Sequence, residues 1–101
     1  MTSMENLKKL PKTGTLAPDA MAAFWAYDNA ALVSGAIPKK YKELMAIAVA
    51  LATQCVYCIE VHRQQAVKAG VTEQELAEVI HIAAAVRAGG AITHGTHLLE
   101  G

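Results

Sequence analysis

The stretch ELMAIAVALATQCVYCIEVH, residues 43–62, holds both cysteines of the chain, and its periodicity decides the fold. Cys55 and Cys58 are three residues apart and His62 lies four further on. At roughly 100° per helical residue these three side chains fall within an arc of about 60°. One helix face therefore carries two thiols and an imidazole. Upstream, Tyr41, Leu44, Met45, Ala48, Leu51 and Ala52 keep helical spacing, while Ile47, Val49 and Ala50 make the opposite side apolar too. That is the pattern of a helix buried all round. Glu43 stands near its start, where a carboxylate is either exposed or has a partner, and the thiol-imidazole face is a candidate partner.

Working outward, 101 residues make one domain. Hydrophobic residues reach 53% and aromatics only 5%, so the helices are alanine-rich and each buries little apolar area. A small domain of this kind is weakly stabilised alone, and the apolar content exceeds what a compact monomer should expose. We therefore expect a homo-oligomer. The formal charge is zero and the pI is about 6.9, which gives no global reason to bind nucleic acid or an anionic membrane. Lys39, Lys40 and Lys42 form the one notable basic cluster, read as a solvated helix start. The first ten residues lack the apolar run of a signal peptide, and the run at residues 44–52 is too short to span a bilayer. The expected setting is the cytoplasm, where a CxxC pair is more often redox-active or metal-binding than a permanent staple.

In chain order, Pro11 and Gly14 argue against a packed helix, so residues 1–16 read as a loosely ordered arm and 17–101 as a single helical domain. Pro18 and Asp19 start a helix with Met21, Phe24, Trp25, Asp28 and Leu32 along one stripe, and Ser34-Gly35 ends it. Pro38 opens the next, which ends near Thr53-Gln54. Cys55 falls in the first turn of a third, whose inward face is Ile59, His62, Ala66 and Val67 and which Gly70 stops. Thr72 and Glu75 form a capping box, followed by a stripe of Leu76, Val79, Ile80, Ala83 and Val86. Gly89-Gly90 is expected to break that helix and leave a short fifth one over residues 91–99. No strand-like alternation occurs, so the fold class is all-α.

A thiol becomes a nucleophile when a helix N-terminus or a histidine favours its thiolate. Both conditions are available to the CxxC pair: a helix start beneath it, and His62 one turn beyond Cys58. Glu43, brought in from the neighbouring helix, would orient His62 or take the proton onward, the base-plus-orienter arrangement of nucleophilic sites. Three readings compete. Cys55, Cys58 and His62 with His81, His94 or His97 are potential zinc ligands, although three ligands on one regular helix face rarely converge on a tetrahedral ion. Two ordinary buried cysteines are the plain alternative. Haem attachment fails because Ile59 follows Cys58. No cofactor is called for.

Residues 35–76, GAIPKKYKELMAIAVALATQCVYCIEVHRQQAVKAGVTEQEL, resemble the carboxymuconolactone decarboxylase-like family and, within it, the alkylhydroperoxidase D-like branch. The signature is a Glu, CxxCxxxH twelve residues on, then a Gly and an acidic helix start. Glu43, Cys55, Cys58 and His62 match it. The resemblance implies about five helices around a central helical hairpin, assembled as trimers or hexamers. It also implies a thiol peroxidase or disulfide reductase of antioxidant type, with Glu43 and His62 relaying protons to the cysteines. A lipoyl group or a thioredoxin-like protein would be the dithiol electron donor. Members that decarboxylate a lactone generally lack the cysteine pair. Two-domain members carry a His between the cysteines where this chain has Tyr57.

Overall fold

The computed structural model describes residues 4–101. They form helices α1 (Leu10–Leu16), α2 (Pro18–Leu32), α3 (Lys39–Thr53), α4 (Val56–Lys68) and α5 (Glu73–Gly95). A 3₁₀ helix, Met4–Lys9, precedes them and another, Thr96–Leu98, follows. Among the described residues there is no strand. The all-α class and the central hairpin hold: α3 packs most extensively on α4 and next on α5.

Two chain reversals make the hairpin. At the end of α3 Gln54 adopts the left-handed conformation, with φ 57°. Its N–H reaches Leu51 O, while the N–H of Cys55 reaches Ala50 O at 3.0 Å. This paired closure satisfies orphan carbonyls of the last turn. It also leaves Cys55, in extended conformation, as the N-cap of α4, one residue earlier than the first-turn position expected. At the end of α4 the same closure recurs around Gly70, φ 88°. Val71 N–H bonds to Ala66 O, and both residues are buried in one apolar cluster with Ile47 and Val79. The Thr72–Glu75 capping box then starts α5 as expected, with both reciprocal bonds formed.

Four local expectations are corrected. Residues 4–16, expected to be loosely ordered, are helical though without a buried residue. Pro11 falls in the first turn of α1, where its missing N–H costs nothing and its fixed φ suits the helix; residues 1–3 lie outside the described residues. Gly89-Gly90 does not break α5, which runs 23 residues without interruption. Each glycine costs about 1 kcal/mol there, and the helix formers on either side carry the ladder through. Gly35 is not a left-handed cap, because α2 already ends at Leu32 with Val33 extended. Finally, the apolar faces are only partly used. Val67, Ile80 and Val86 are exposed, as are Phe24 and Trp25. Helix α3 is not buried all round, for Tyr41, Met45 and Val49 form an exposed stripe on it.

The apolar core of the described residues is accordingly small: Ile47, Ala50, Ala66, Val71, Val79 and Ala83. By length and composition alone the stretch Glu73–Leu98 would suffice to cross a bilayer. Its N-terminal part instead buries Val79 and Ala83 and packs on α3.

Candidate functional site

Glu43 is the one charged residue buried among those described, with no exposed area at all. It sits in the first turns of α3, and the tight turn at Gln54 folds α4 back beside it. His62, in the second turn of α4, meets it there. His62 Nδ1 lies 2.8 Å from Glu43 Oε2, and the imidazole remains 19% exposed. With the carboxylate ionised, Nδ1–H donates to it and Nε2 is left free to exchange a proton. The other carboxylate oxygen, Oε1, faces Lys39 Nζ at 2.7 Å in an ion pair without hydrogen-bond alignment. Burying a carboxylate is costly unless it is paired, and here both oxygens face a cationic or N–H group.

Cys55 and Cys58 are joined as a disulfide, with Cα atoms 5.3 Å apart. As N-cap, Cys55 accepts through Sγ from the backbone N–H of Cys58 at 3.3 Å. The two sulfurs are thus placed differently. Cys55 sits over the positive end of α4, whereas Cys58 lies one turn from His62 on the same helix face. Tyr57 between them is partly buried, and its hydroxyl accepts from Asn6 Nδ2 at 3.1 Å, which ties the N-terminal 3₁₀ helix to the start of α4.

A groove of about 640 Å³ opens beside the Glu43–His62 pair. Its apolar wall includes Trp25 and Leu32 of α2 and Val61 of α4, and Lys39, Glu43 and His62 form its polar part. Neither cysteine lines it. Asp28, the polar exception in the α2 stripe, borders the groove, so its place is an edge of a cavity rather than a helix–helix contact face.

All four expected site residues fall on the α3–α4 hairpin. The structure brings Glu43 to His62 and Cys55 to Cys58. Sequence reasoning missed Lys39 and the α2 wall. Lys39 stands four residues before Glu43, a spacing that places ion pairs on one helix face, so its pairing was legible; the approach of α2 was not. Among the described residues no group of three His, Cys, Asp or Glu side chains is placed together as a metal site would require. His94 and His97 stack edge to face, with ring centroids 5.1 Å apart, on the far part of the chain.

Comparison with known proteins agrees with the all-α fold. The model of the Carboxymuconolactone decarboxylase family matches residues 18–101. The chain is 42% identical over 77 residues to "Uncharacterized protein 4 in cox locus" of Paracoccus denitrificans, covering 76% of this chain and 69% of that protein. It is 39% identical over 69 residues to an uncharacterized protein of Cupriavidus necator, covering 68% and 61%. Among solved structures, it is similar to a carboxymuconolactone decarboxylase family protein from Legionella pneumophila in its apo form, with TM-score 0.79 and 36% identity, covering 89% of this chain and 80% of that one. A protein from Methanobacterium thermoautotrophicum superposes with TM-score 0.80 at 30% identity, covering 85% and 97%.

Proposed function

The chain belongs to the carboxymuconolactone decarboxylase family, and on that premise we propose that it is a thiol-dependent peroxidase or disulfide oxidoreductase cycling the Cys55/Cys58 dithiol. One observation carries the reading: a cysteine pair close enough to join as a disulfide sits at the start of the helix whose His62 is held by the buried carboxylate of Glu43. A redox pair alone could be a staple, and a Glu–His pair alone could serve many reactions. Together on one hairpin they supply a nucleophile, its proton acceptor and the group that orients the acceptor.

The chemistry balances without a cofactor. The Cys58 thiolate attacks the distal oxygen of a hydroperoxide, forming an S–O bond as the O–O bond breaks. The departing alkoxide takes a proton, which His62 Nε2 supplies. The sulfenic acid on Cys58 then condenses with the Cys55 thiol to give the disulfide and water. A dithiol donor, a lipoyl group or a thioredoxin-like protein, returns two electrons and two protons. Cys58 is assigned the attack because it is one turn from His62, while Cys55 resolves. A cytoplasmic setting fits a dithiol that must be re-reduced. The assembly is a homo-oligomer, a trimer or hexamer, acting without nucleic acid or membrane.

The test is peroxide consumption with a dithiol reductant. It should vanish in Cys58→Ser, and unchanged turnover in that variant would end the reading. A second reading is favoured by the groove, which takes in Glu43, Lys39 and His62 but neither sulfur. It is a non-redox acid–base reaction of the same fold, such as lactone decarboxylation, and it would survive replacement of both cysteines.

A further inference from the structure

Lys39 is the member of the site to which the peroxidase reading assigns no task. It opens α3, and its backbone N–H donates to Ser34 Oγ at 2.9 Å, which fixes the start of the helix and so the root of the side chain. Its Nζ lies 2.7 Å from Glu43 Oε1. The Lys39 side chain is 39% exposed, while that of Glu43 is wholly buried. Lys39 therefore keeps part of its hydration while facing a group that has lost its own.

The need for such a partner follows from the cycle. A carboxylate taken out of water tends to accept a proton unless nearby positive charge compensates. Glu43 faces two groups that can do so, Lys39 from its own helix and His62 from α4. Asp28 of α2 borders the same groove and carries the opposite sign. His62 compensates Glu43 by charge only while it is an imidazolium, and a base must spend part of its cycle neutral. In that part Lys39 is the one cation facing the carboxylate among the described residues.

We propose that Lys39 is a positioning residue that holds Glu43 ionised in both protonation states of His62. Glu43 thereby keeps its grip on Nδ1–H, and Nε2 stays available for proton exchange. The proposal rests on the reading of Glu43 and His62 as a proton relay, but its test does not depend on peroxide chemistry. Removing the ammonium takes a positive charge from beside the pair, which favours the protonated imidazole, so His62 must release its proton at higher pH.

The experiment is a pH titration of the imidazole ¹⁵N signals of the reduced full-length protein, for the wild type, Lys39→Met, Lys39→Gln and Lys39→Arg. Circular dichroism checks the helix content of each variant. In the Met and Gln variants proton release from His62 should move up by about one pH unit, a modest shift because the like charge removed is part-exposed and acts across Glu43. The acid limb of peroxide consumption should move with it. Lys39→Arg keeps the charge and should restore both. An unmoved imidazole titration in Lys39→Met and Lys39→Gln would overturn the role given to Lys39, even if peroxide turnover is normal. A moved titration in a protein that consumes no peroxide would support Lys39 and overturn the peroxidase reading instead.

Discussion

Glu43 lies where water does not reach, and the roles given to the neighbouring residues all depend on its carboxyl group. Glu43→Gln keeps the size and the hydrogen-bonding shape but removes the charge that would stabilise an imidazolium at His62. Positioned acid–base groups are typically worth roughly 10²–10⁴ in rate, so turnover should fall within that range while the circular dichroism spectrum stays native. An unchanged rate would show that the relay does not run through Glu43. The two sulfurs can be separated in the same way. In Cys55→Ser, one turnover should leave a sulfenic acid on Cys58 that a dimedone-type reagent traps. The opposite placement, a sulfenic acid on Cys55 in Cys58→Ser with activity retained, would transfer the attack to the sulfur that caps α4. At this scale the sequence was most informative. Spacing alone put Cys58 and His62 one turn apart on α4, and a carboxylate at Glu43 near the start of an apolar helix called for a partner. The identity of the groove wall was not legible, because Trp25, Asp28 and Leu32 reach it only through the angle at which α2 approaches α3.

Helix ends decide how the hairpin is held. Thr72 Oγ1 accepts from the Glu75 N–H at 3.1 Å, and Glu75 Oε1 accepts from the Thr72 N–H at 2.9 Å. Glu75 Oε2 also meets Lys40 Nζ of α3 at 3.1 Å, so the cap joins α5 to the site-bearing helix. Thr72→Ala should cost about 1 kcal/mol of stability, read from urea unfolding. The backbone N–H of Thr72, and after it the Lys40 ammonium, hold the Glu75 carboxyl below the usual carboxylate range. A group with a lowered folded-state value stabilises the fold above its unfolded value and loses that contribution as pH falls through the folded one. Stability should therefore decline on acidification through and below the ordinary carboxylate range, and Glu75→Gln should flatten that decline. An acid profile identical in wild type and Glu75→Gln would remove the cap from the account. The capping box and the Gly70 stop were readable because each needs particular residue types at fixed offsets. The continuity of α5 was not, since glycine weakens a helix by propensity alone and the surrounding alanines outweigh it. The end of α3 at Thr53-Gln54 was read, but the left-handed conformation of Gln54 was not, because a left-handed residue other than glycine has no sequence mark.

The whole molecule is more open than its size requires. Its accessible surface is 7672 Å², against about 5500 Å² for a compact 10.7 kDa monomer. Its radius of gyration is 16.9 Å, where a compact domain of this length has about 13 Å. Much of the excess is apolar: Tyr41, Met45 and Val49 on α3, and Ile82, Val86 and Ile92 on α5, are all at least half exposed. Surface of that extent and character is what subunit contacts cover, so light scattering should give a multiple of the chain mass, and Val86→Asp with Ile92→Asp should lower it. A mass of one chain for the wild type would refute the assembly. The all-α class followed from periodicity and the central hairpin from the family resemblance, whereas the exposed face of α3 could not be read, because an exposed apolar residue looks the same in sequence as one facing the core. The central claim, a dithiol that takes two electrons to a peroxide, is tested most directly by counting free thiols in fully reduced protein before and after one equivalent of hydroperoxide. The account predicts the loss of two thiols per chain with a Cys55–Cys58 disulfide in the product, and two thiols left intact while the peroxide persists would contradict it.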